Sequence, residues 1–304
     1  MTELRGPDPG QDPADLPRTA GSSRSPGIPE LLLRGGPGGQ VPVPIPQLGF
    51  GTWQVTSEQV GPALATAFEA GYRHVDTARL YHNEEAVGAA VRTWQQDRST
   101  GRIFVTTKVW NDDHLRVRAA FDESMSRLGL DVLDLLLIHW PCPTADHYVP
   151  AWCELLALRD EGRVRAVGVS NFAEPHLRRL AEETGEFPAV NQIELHPLLQ
   201  QQALRAFHER HGILTQSWTP LAGGLLQGDP VVAAVAAKHS VTPARVLLRW
   251  QVDLGLIVIP RSVTPARIRE NADLFSFALD ADDLAALARL DRGRRTGPDP
   301  EQFG

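Results

Sequence analysis

The sequence predicts a single (β/α)8 barrel. From residue 47 onward, eight short apolar strands each precede a helical stretch, and the pattern fills about 250 residues, the usual size of that fold. Several of the strands are apolar without alternation, as parallel strands covered on both faces are. No glycine fingerprint follows the first strand, which argues against an open doubly wound sheet.

The elements follow in order. Residues 1–30 are rich in Pro, Gly, Ser and Asp and lack an apolar stretch, so they read as a disordered tail and not a secretory signal. The barrel domain is assigned to 31–304. Leu31-Leu32-Leu33 and Val41-Pro42-Val43 flank Gly35-Gly36-Pro37-Gly38-Gly39 as a small hairpin, which Pro42 and Pro44 confine to a sheet edge. The first barrel strand is placed at 47–51. Thr56-Ser57-Glu58-Gln59 opens the next helix as a capping box. Val60, Ala63, Leu64, Ala67 and Phe68 form its buried stripe, and Gly71 takes the C-cap position. Later strands are placed near 73–76, 103–109, 132–139, 164–170, 189–193, 213–218 and 256–260. The helices fall near 84–96, 113–127, 151–160, 174–184, 201–210, 230–252 and 264–271, with a break at Pro243 and a last helix at 282–290.

Bulk properties narrow the function. A formal net charge of −7 and a pI near 5.8 give no electrostatic footprint for nucleic acid or an anionic membrane. No apolar run approaches the roughly 18 residues of a spanning helix. The only cysteines, Cys142 and Cys153, make no metal-ligand pattern, and so little cysteine suits a reducing cytoplasm. No HExxH, phosphate loop or GxGxxG occurs, and no metal is expected.

Polar residues close the apolar strands: Asp76, Lys108, His139, Ser170-Asn171, Gln192, Ser217-Trp218 and Arg261-Ser262. Singly, each reads as a cap or a solvated side chain. A barrel gathers all these ends on one face, where barrel enzymes keep their chemistry. Tyr81 follows Asp76 on the same loop. A phenol has a pKa of about 10 and is a poor acid at neutral pH. An ammonium close by favours the phenolate and needs a counter-ion when buried, so Asp76, Lys108 and Tyr81 read as one chain. Such a phenol can give a proton to an oxygen that is gaining charge, and His139 can orient that oxygen. Proton donors around an incipient alkoxide imply carbonyl reduction, or its reverse, with a hydride carrier.

These motifs resemble the aldo-keto reductase family from about residue 45 onward. The matching segments are Gly49-Phe50-Gly51-Thr52-Trp53, residues 71–88, Thr107-Lys108-Val109-Trp110, Leu137-Ile138-His139-Trp140-Pro141, Gly168-Val169-Ser170-Asn171-Phe172, Asn191-Gln192-Ile193-Glu194-Leu195-His196-Pro197 and Val258-Ile259-Pro260-Arg261-Ser262. The resemblance implies a barrel that binds NADP(H) without a Rossmann domain. It implies a catalytic set of Asp76, Tyr81, Lys108 and His139. It puts Gly51, Thr52 and Trp53 at the cofactor, Ser170, Asn171 and Gln192 on the nicotinamide carboxamide, and Trp218 stacked on the nicotinamide ring. Thr219, Pro220, Leu221 and Gly223 match the loop crossing the pyrophosphate. Arg261, Ser262, Val263, Thr264 and Arg267 match the 2′-phosphate pocket, with Glu270 and Asn271 at the adenine.

Two guanidiniums suit a phosphate dianion better than a ribose diol, which favours NADPH over NADH. The family commonly has Lys where Arg261 stands, so charge is kept there and geometry is not. Trp53, Tyr81, Trp110, His139 and Trp140, with Tyr148, are expected to surround a small-molecule carbonyl substrate, and such aromatic walls suit many aldehydes. The resemblance is nearer to bacterial 2,5-diketo-D-gluconate reductases, without the longer C-terminal loop that narrows the pocket of animal members. A cytoplasmic monomer with no nucleic-acid or membrane partner is expected. The alternative is an NADPH-binding regulatory or structural subunit with little turnover, since some family members serve as channel subunits or lens proteins.

Overall fold

The computed structural model describes residues 27–34 and 41–304. Most of the expected disordered tail and the glycine-rich turn lie outside the described residues. Strands β1 (Glu30–Leu33) and β2 (Val43–Pro46) pair antiparallel, with Leu31 opposite Ile45. They form a separate two-stranded sheet. Both of its strands are sheet edges, as its prolines require, but its apolar face is not idle. Leu33, Val43 and Ile45 pack on Phe104, Leu135, Leu137, Val190 and Ile257, so the hairpin seals one mouth of the barrel.

The barrel sheet runs in chain order through β3 (Phe50–Gly51), β4 (His74–Asp76), β5 (Phe104–Val109), β6 (Leu133–Ile138), β7 (Val164–Ser170), β8 (Val190–Glu194), β9 (Leu214–Trp218) and β10 (Ile257–Val258), all parallel. The first strand is shorter than the expected 47–51. Gln47 and Gly49 bond across the seam instead: Val258 N–H donates to Gln47 O at 2.9 Å and Gly49 N–H to Val258 O at 2.8 Å, which closes the barrel.

Around the sheet lie α1 (Ser57–Glu69), α2 (Glu84–Gln95), α3 (Val117–Leu128), α4 (Tyr148–Asp160), α5 (Glu174–Thr184), α6 (Gln202–His211), α7 (Pro230–His239), α8 (Pro243–Asp253), α9 (Pro265–Ala272) and α10 (Ala281–Ala288). Pro243 does break the long helical stretch: α7 and α8 meet at 87°. Thr242 caps the second of the two, with Pro243 in the first turn, where its missing N–H costs nothing. Asp229 caps the first by accepting from Val231 and Val232 N–H. Among the described residues, no single helix is long and apolar enough to cross a membrane.

The main core lies between sheet and helices, with Val75, Val105, Leu136, Ile138, Val167 and Val169 facing Phe68, Phe121, Trp152 and Leu177. Burying each such side chain contributes about 1.5–3 kcal/mol. Gly88 on α2 lets that helix approach the end of α3 closely, because a Cβ there would run into the Leu128 backbone. This packing holds the strand ends rigid beneath the site.

Candidate active site

Asp76 is the last residue of β4, Lys108 the penultimate residue of β5, and His139 follows the last residue of β6. Asp76 stands opposite Thr106, two residues before Lys108, so both side chains point into the barrel from neighbouring strands. Tyr81 closes a single 3-10 turn (Arg79–Tyr81) between β4 and α2. The turn ends because His82 takes a left-handed conformation, φ 54°.

The four expected catalytic groups are together. The Lys108 ammonium donates to Asp76 Oδ1 at 2.5 Å, Thr77 O at 3.0 Å and Tyr81 Oη at 3.2 Å. All three of its N–H donors are therefore used, and the Tyr81 oxygen accepts one of them. Asp76 Oδ2 accepts from Gln192 Nε2 at 2.7 Å and faces Gln216 Nε2 at 3.4 Å. The ion pair is sealed, with both side chains almost without exposure. Such a pair adds little stability for the cost of desolvation, so its arrangement points to function.

Protonation differs from expectation at Tyr81. Burial raises the phenol pKa by more than the Lys108 ammonium lowers it, and Asp76 adds to the rise. The phenol thus stays protonated at neutral pH. Burial depth, which outweighs the cation here, cannot be read from a motif. For Lys108, burial favours the neutral amine, but the Asp76 charge and Tyr81 reverse this and hold its pKa above the ordinary lysine range. Burial, with the nearby Lys108 charge, pushes His139 well below 6.5, so its ring is neutral. His139 Nδ1 is buried without a hydrogen-bond partner among the described residues.

Aromatic rings wall this centre. Trp53, half exposed, lies 4.9 Å from the Tyr81 ring, and Trp110 lies 5.1 Å from His139. Trp140 is buried, 6.5 Å from Trp218 and 4.6 Å from Phe303. Tyr148 is not part of the wall. It opens α4 and packs on Phe172 and His176 beneath the Arg179 guanidinium, because the helix begins there and turns the ring into the outer layer. Phe303, which sequence reasoning missed, takes a place in the wall instead, against Trp110 and Trp140.

The expected cofactor residues form a second cluster. Ser170 Oγ donates to Gln192 O at 2.8 Å, Asn171 Nδ2 donates to His139 O at 3.0 Å, and Trp218 Nε1 donates to Asn171 Oδ1 at 2.8 Å. Asn171 has φ 64°, a left-handed conformation that asparagine tolerates and that turns its amide back over the strand ends. Thr52 Oγ1 is spent on Asp76 O at 3.0 Å, and Gly51 N–H donates to Pro260 O at 3.1 Å across the barrel seam. These two residues hold the frame of the site. After β9 the chain turns sharply, with Thr219, Ala222 and Gly223 all left-handed. Pro220 O accepts from Gln251 Nε2 of α8 at 2.8 Å, which pins the turn beside Leu221.

Beyond β10, Ser262 Oγ accepts from Thr264 N–H at 3.1 Å, and Thr264 takes the N-cap position of α9. Arg261 and Arg267 are exposed, and among the described residues neither has a carboxylate within ion-pair distance; Val263 is exposed beside them. Glu270 Oε1, one helical turn on, is buried without a partner, next to buried Asn271. A free guanidinium on the loop before α9, a second in its first turn and an unpaired buried acceptor one turn later suit a phosphate at one end and an amino-bearing base at the other.

A sequence model described as the Aldo/keto reductase family matches residues 47–292. The chain belongs to the Aldo/keto reductase family. Within it, the methylglyoxal reductase DkgA of Escherichia coli strain K12 is 50% identical over 262 residues, covering 86% of this chain and 94% of the relative. An aldo-keto reductase of Mycolicibacterium smegmatis is 51% identical over 261 residues, covering 85% and 94%. A crystal structure of a Gox0644 variant in complex with NADPH has a TM-score of 0.81 in its apoform counterpart and 0.82 itself, at 47% identity over 86% of this chain and 96% of that one. An aldo/keto reductase structure from Brucella melitensis has a TM-score of 0.81 at 45% identity, covering 87% and 98%. The family assignment and the barrel expected above agree with these likenesses.

Proposed function

We propose that this chain is an NADPH-dependent reductase of aldehydes and ketones in which Tyr81 gives the proton. One observation carries the reading. Lys108 uses every N–H it has, and the phenol accepts one of them, so the Tyr81 O–H remains free to donate into the pocket. The unpaired Arg261 and Arg267, and the orphaned Glu270 Oε1, support a nucleotide with a 2′-phosphate. Ser170, Asn171, Gln192 and Trp218 would hold its nicotinamide end, Thr219, Pro220, Leu221 and Gly223 its pyrophosphate. The chemistry such a cofactor supplies when bound is hydride transfer to the carbonyl carbon.

The chain's own groups do the rest. The Tyr81 O–H donates to the carbonyl oxygen as negative charge grows there. The phenolate left behind lies 3.2 Å from the Lys108 ammonium, whose charge Asp76 keeps in place. Neutral His139 donates a hydrogen bond to the same oxygen and sets its direction, without itself protonating it. Trp53, Trp110 and Trp140 exclude water around the reacting carbon. Similarity to methylglyoxal reductases supports α-oxoaldehydes among the substrates.

The test follows NADPH absorbance with a panel of aldehydes and α-dicarbonyls. Tyr81→Phe should lower turnover about 100-fold or more, the scale of a lost general acid, with NADPH affinity nearly unchanged. Full activity in that variant sinks the proton-donor assignment, and tight NADPH binding without turnover of any carbonyl favours a binding subunit.

A further inference from the structure

Glu194 ends β8 directly opposite Trp218 of β9, and its side chain has no exposure. Its carboxylate faces the C-terminal segment. Oε1 accepts from Thr296 N–H at 2.5 Å, the Thr296 hydroxyl at 2.6 Å and His196 Nε2 at 3.0 Å. Oε2 accepts from Gly297 N–H at 3.2 Å, with the Arg295 guanidinium 3.8 Å away. Burial pushes this carboxyl up, but the donors outweigh it and hold its pKa below the ordinary range, so a charge sits buried on purpose-built donors.

The segment in turn presses on Trp218. A Cβ at position 297 would run into the indole, with Cζ3 at 3.2 Å and Glu194 Oε2 at 3.5 Å, so only glycine fits. The indole N–H, at the other edge of the ring, is tied to Asn171 Oδ1. Before residue 295 the segment is held by Arg292 and Arg294 N–H on Leu198 O, outside the pocket. Beyond it the chain is next held by Phe303 in the aromatic wall, so at residues 295–297 themselves the contact with the indole is fastened by Glu194.

We propose that Glu194 is a positioning residue for the cofactor: it fastens residues 295–297 against Trp218 and so holds the indole in the plane on which the nicotinamide stacks. The inference rests on the nicotinamide reading of Trp218 given above. Stacking tolerates little tilt, so a loosened backing costs affinity more than it costs the proton-transfer step, whose groups Glu194 does not touch.

Two readouts on the full chain test this. Trypsin reports the anchor, because Arg292, Arg294 and Arg295 lie on the segment. Energy transfer from tryptophan to bound NADPH reports affinity. Glu194→Gln should speed cleavage in the segment and weaken NADPH binding about tenfold, the scale of one lost charge-assisted bond. In a Trp218→Phe background the same substitution should weaken binding by less than about twofold, because the ring it positions is gone. Equal loss in both backgrounds, or affinity retained with the segment freed, overturns the proposal. A Glu194→Gln protein as resistant to trypsin as its parent overturns the anchor itself, whatever the cofactor. Failure of the unaltered protein to bind NADPH sinks the cofactor reading instead, and the trypsin result still judges the anchor. If Glu194→Gln does not fold, Gly297→Ala enters the same cycle, since its Cβ displaces the indole while Glu194 keeps its charge.

Discussion

Replacing Lys108 by methionine tests how the buried pair tunes the phenol. At 3.2 Å and an effective dielectric of about 20, the ammonium favours a Tyr81 phenolate by about 5 kcal/mol. Asp76 opposes this. Its Oδ1 is 2.5 Å from the same Nζ, so it lies within about 5.7 Å of Oη and repels the phenolate by about 3 kcal/mol. The pair together therefore favours ionisation by only about 2 kcal/mol. Proton transfer is partial at the transition state, so roughly half of each value is expressed in the rate. Lys108→Met should then lower kcat/KM about 100-fold, since about 2.5 kcal/mol is nearly two decades. Adding Asp76→Asn removes the repulsion as well, and the double variant should lose only about fivefold, the equivalent of about 1 kcal/mol. The assay is NADPH oxidation with a fixed aldehyde, alongside NADPH binding and thermal melting to show that each variant folds. A double variant as slow as Lys108→Met, or slower, refutes the electrostatic account and leaves Lys108 a purely steric role.

Three further outcomes are expected. Arg267→Ala should raise the dissociation constant for NADPH about tenfold or more while leaving NADH nearly untouched, as a lost guanidinium–phosphate contact requires; equal losses for both would remove the phosphate role. Acid should destabilise the fold through its buried neutral histidines. Burial lowers His74 to about 4 and His208 to about 3, so below about pH 6.5 the unfolded chain binds protons that the folded one refuses. Stability should fall by up to about 1.4 kcal/mol per pH unit per histidine as pH drops from about 6.5 toward about 4, measured by urea unfolding, and a flat profile there contradicts the assignment. For the same reason His139 should put no break in the rate near pH 6.5.

Asp76, Lys108 and His139 were legible because each interrupts an apolar strand at the end where a barrel gathers its loops. Tyr81 came with them through its loop. What stayed hidden depends on contacts far apart in the chain. Gln216 reaches Asp76 across 140 positions, and nothing in its strand marks it as a partner of that carboxylate. Phe303 follows a run of Gly and Pro with no periodicity, yet it stands against Trp140. Glu194 lies within a recognisable motif, but only the fold brings residues 296 and 297 onto it. The hairpin prolines marked an edge correctly, and composition could not say that this edge plugs a barrel mouth. Short strands were overdrawn at their ends, most at 47–51 and 256–260, because seam bonds replace the ordinary ladder there.

The sealed ammonium has a practical side. The chain has only two lysines, Lys108 and Lys238, and the second is nearly half exposed between Asp280 and Asp283. A side-chain NH3+ locked onto three acceptors exchanges its protons with water far more slowly than one at the surface. With the lysine side chains isotopically labelled at nitrogen, the magnetic-resonance spectrum of this protein reduces to two signals, and only the one from Lys108 should persist as temperature rises. That single line would report directly on the hydrogen bond to Tyr81, through each ligand added, with no probe attached.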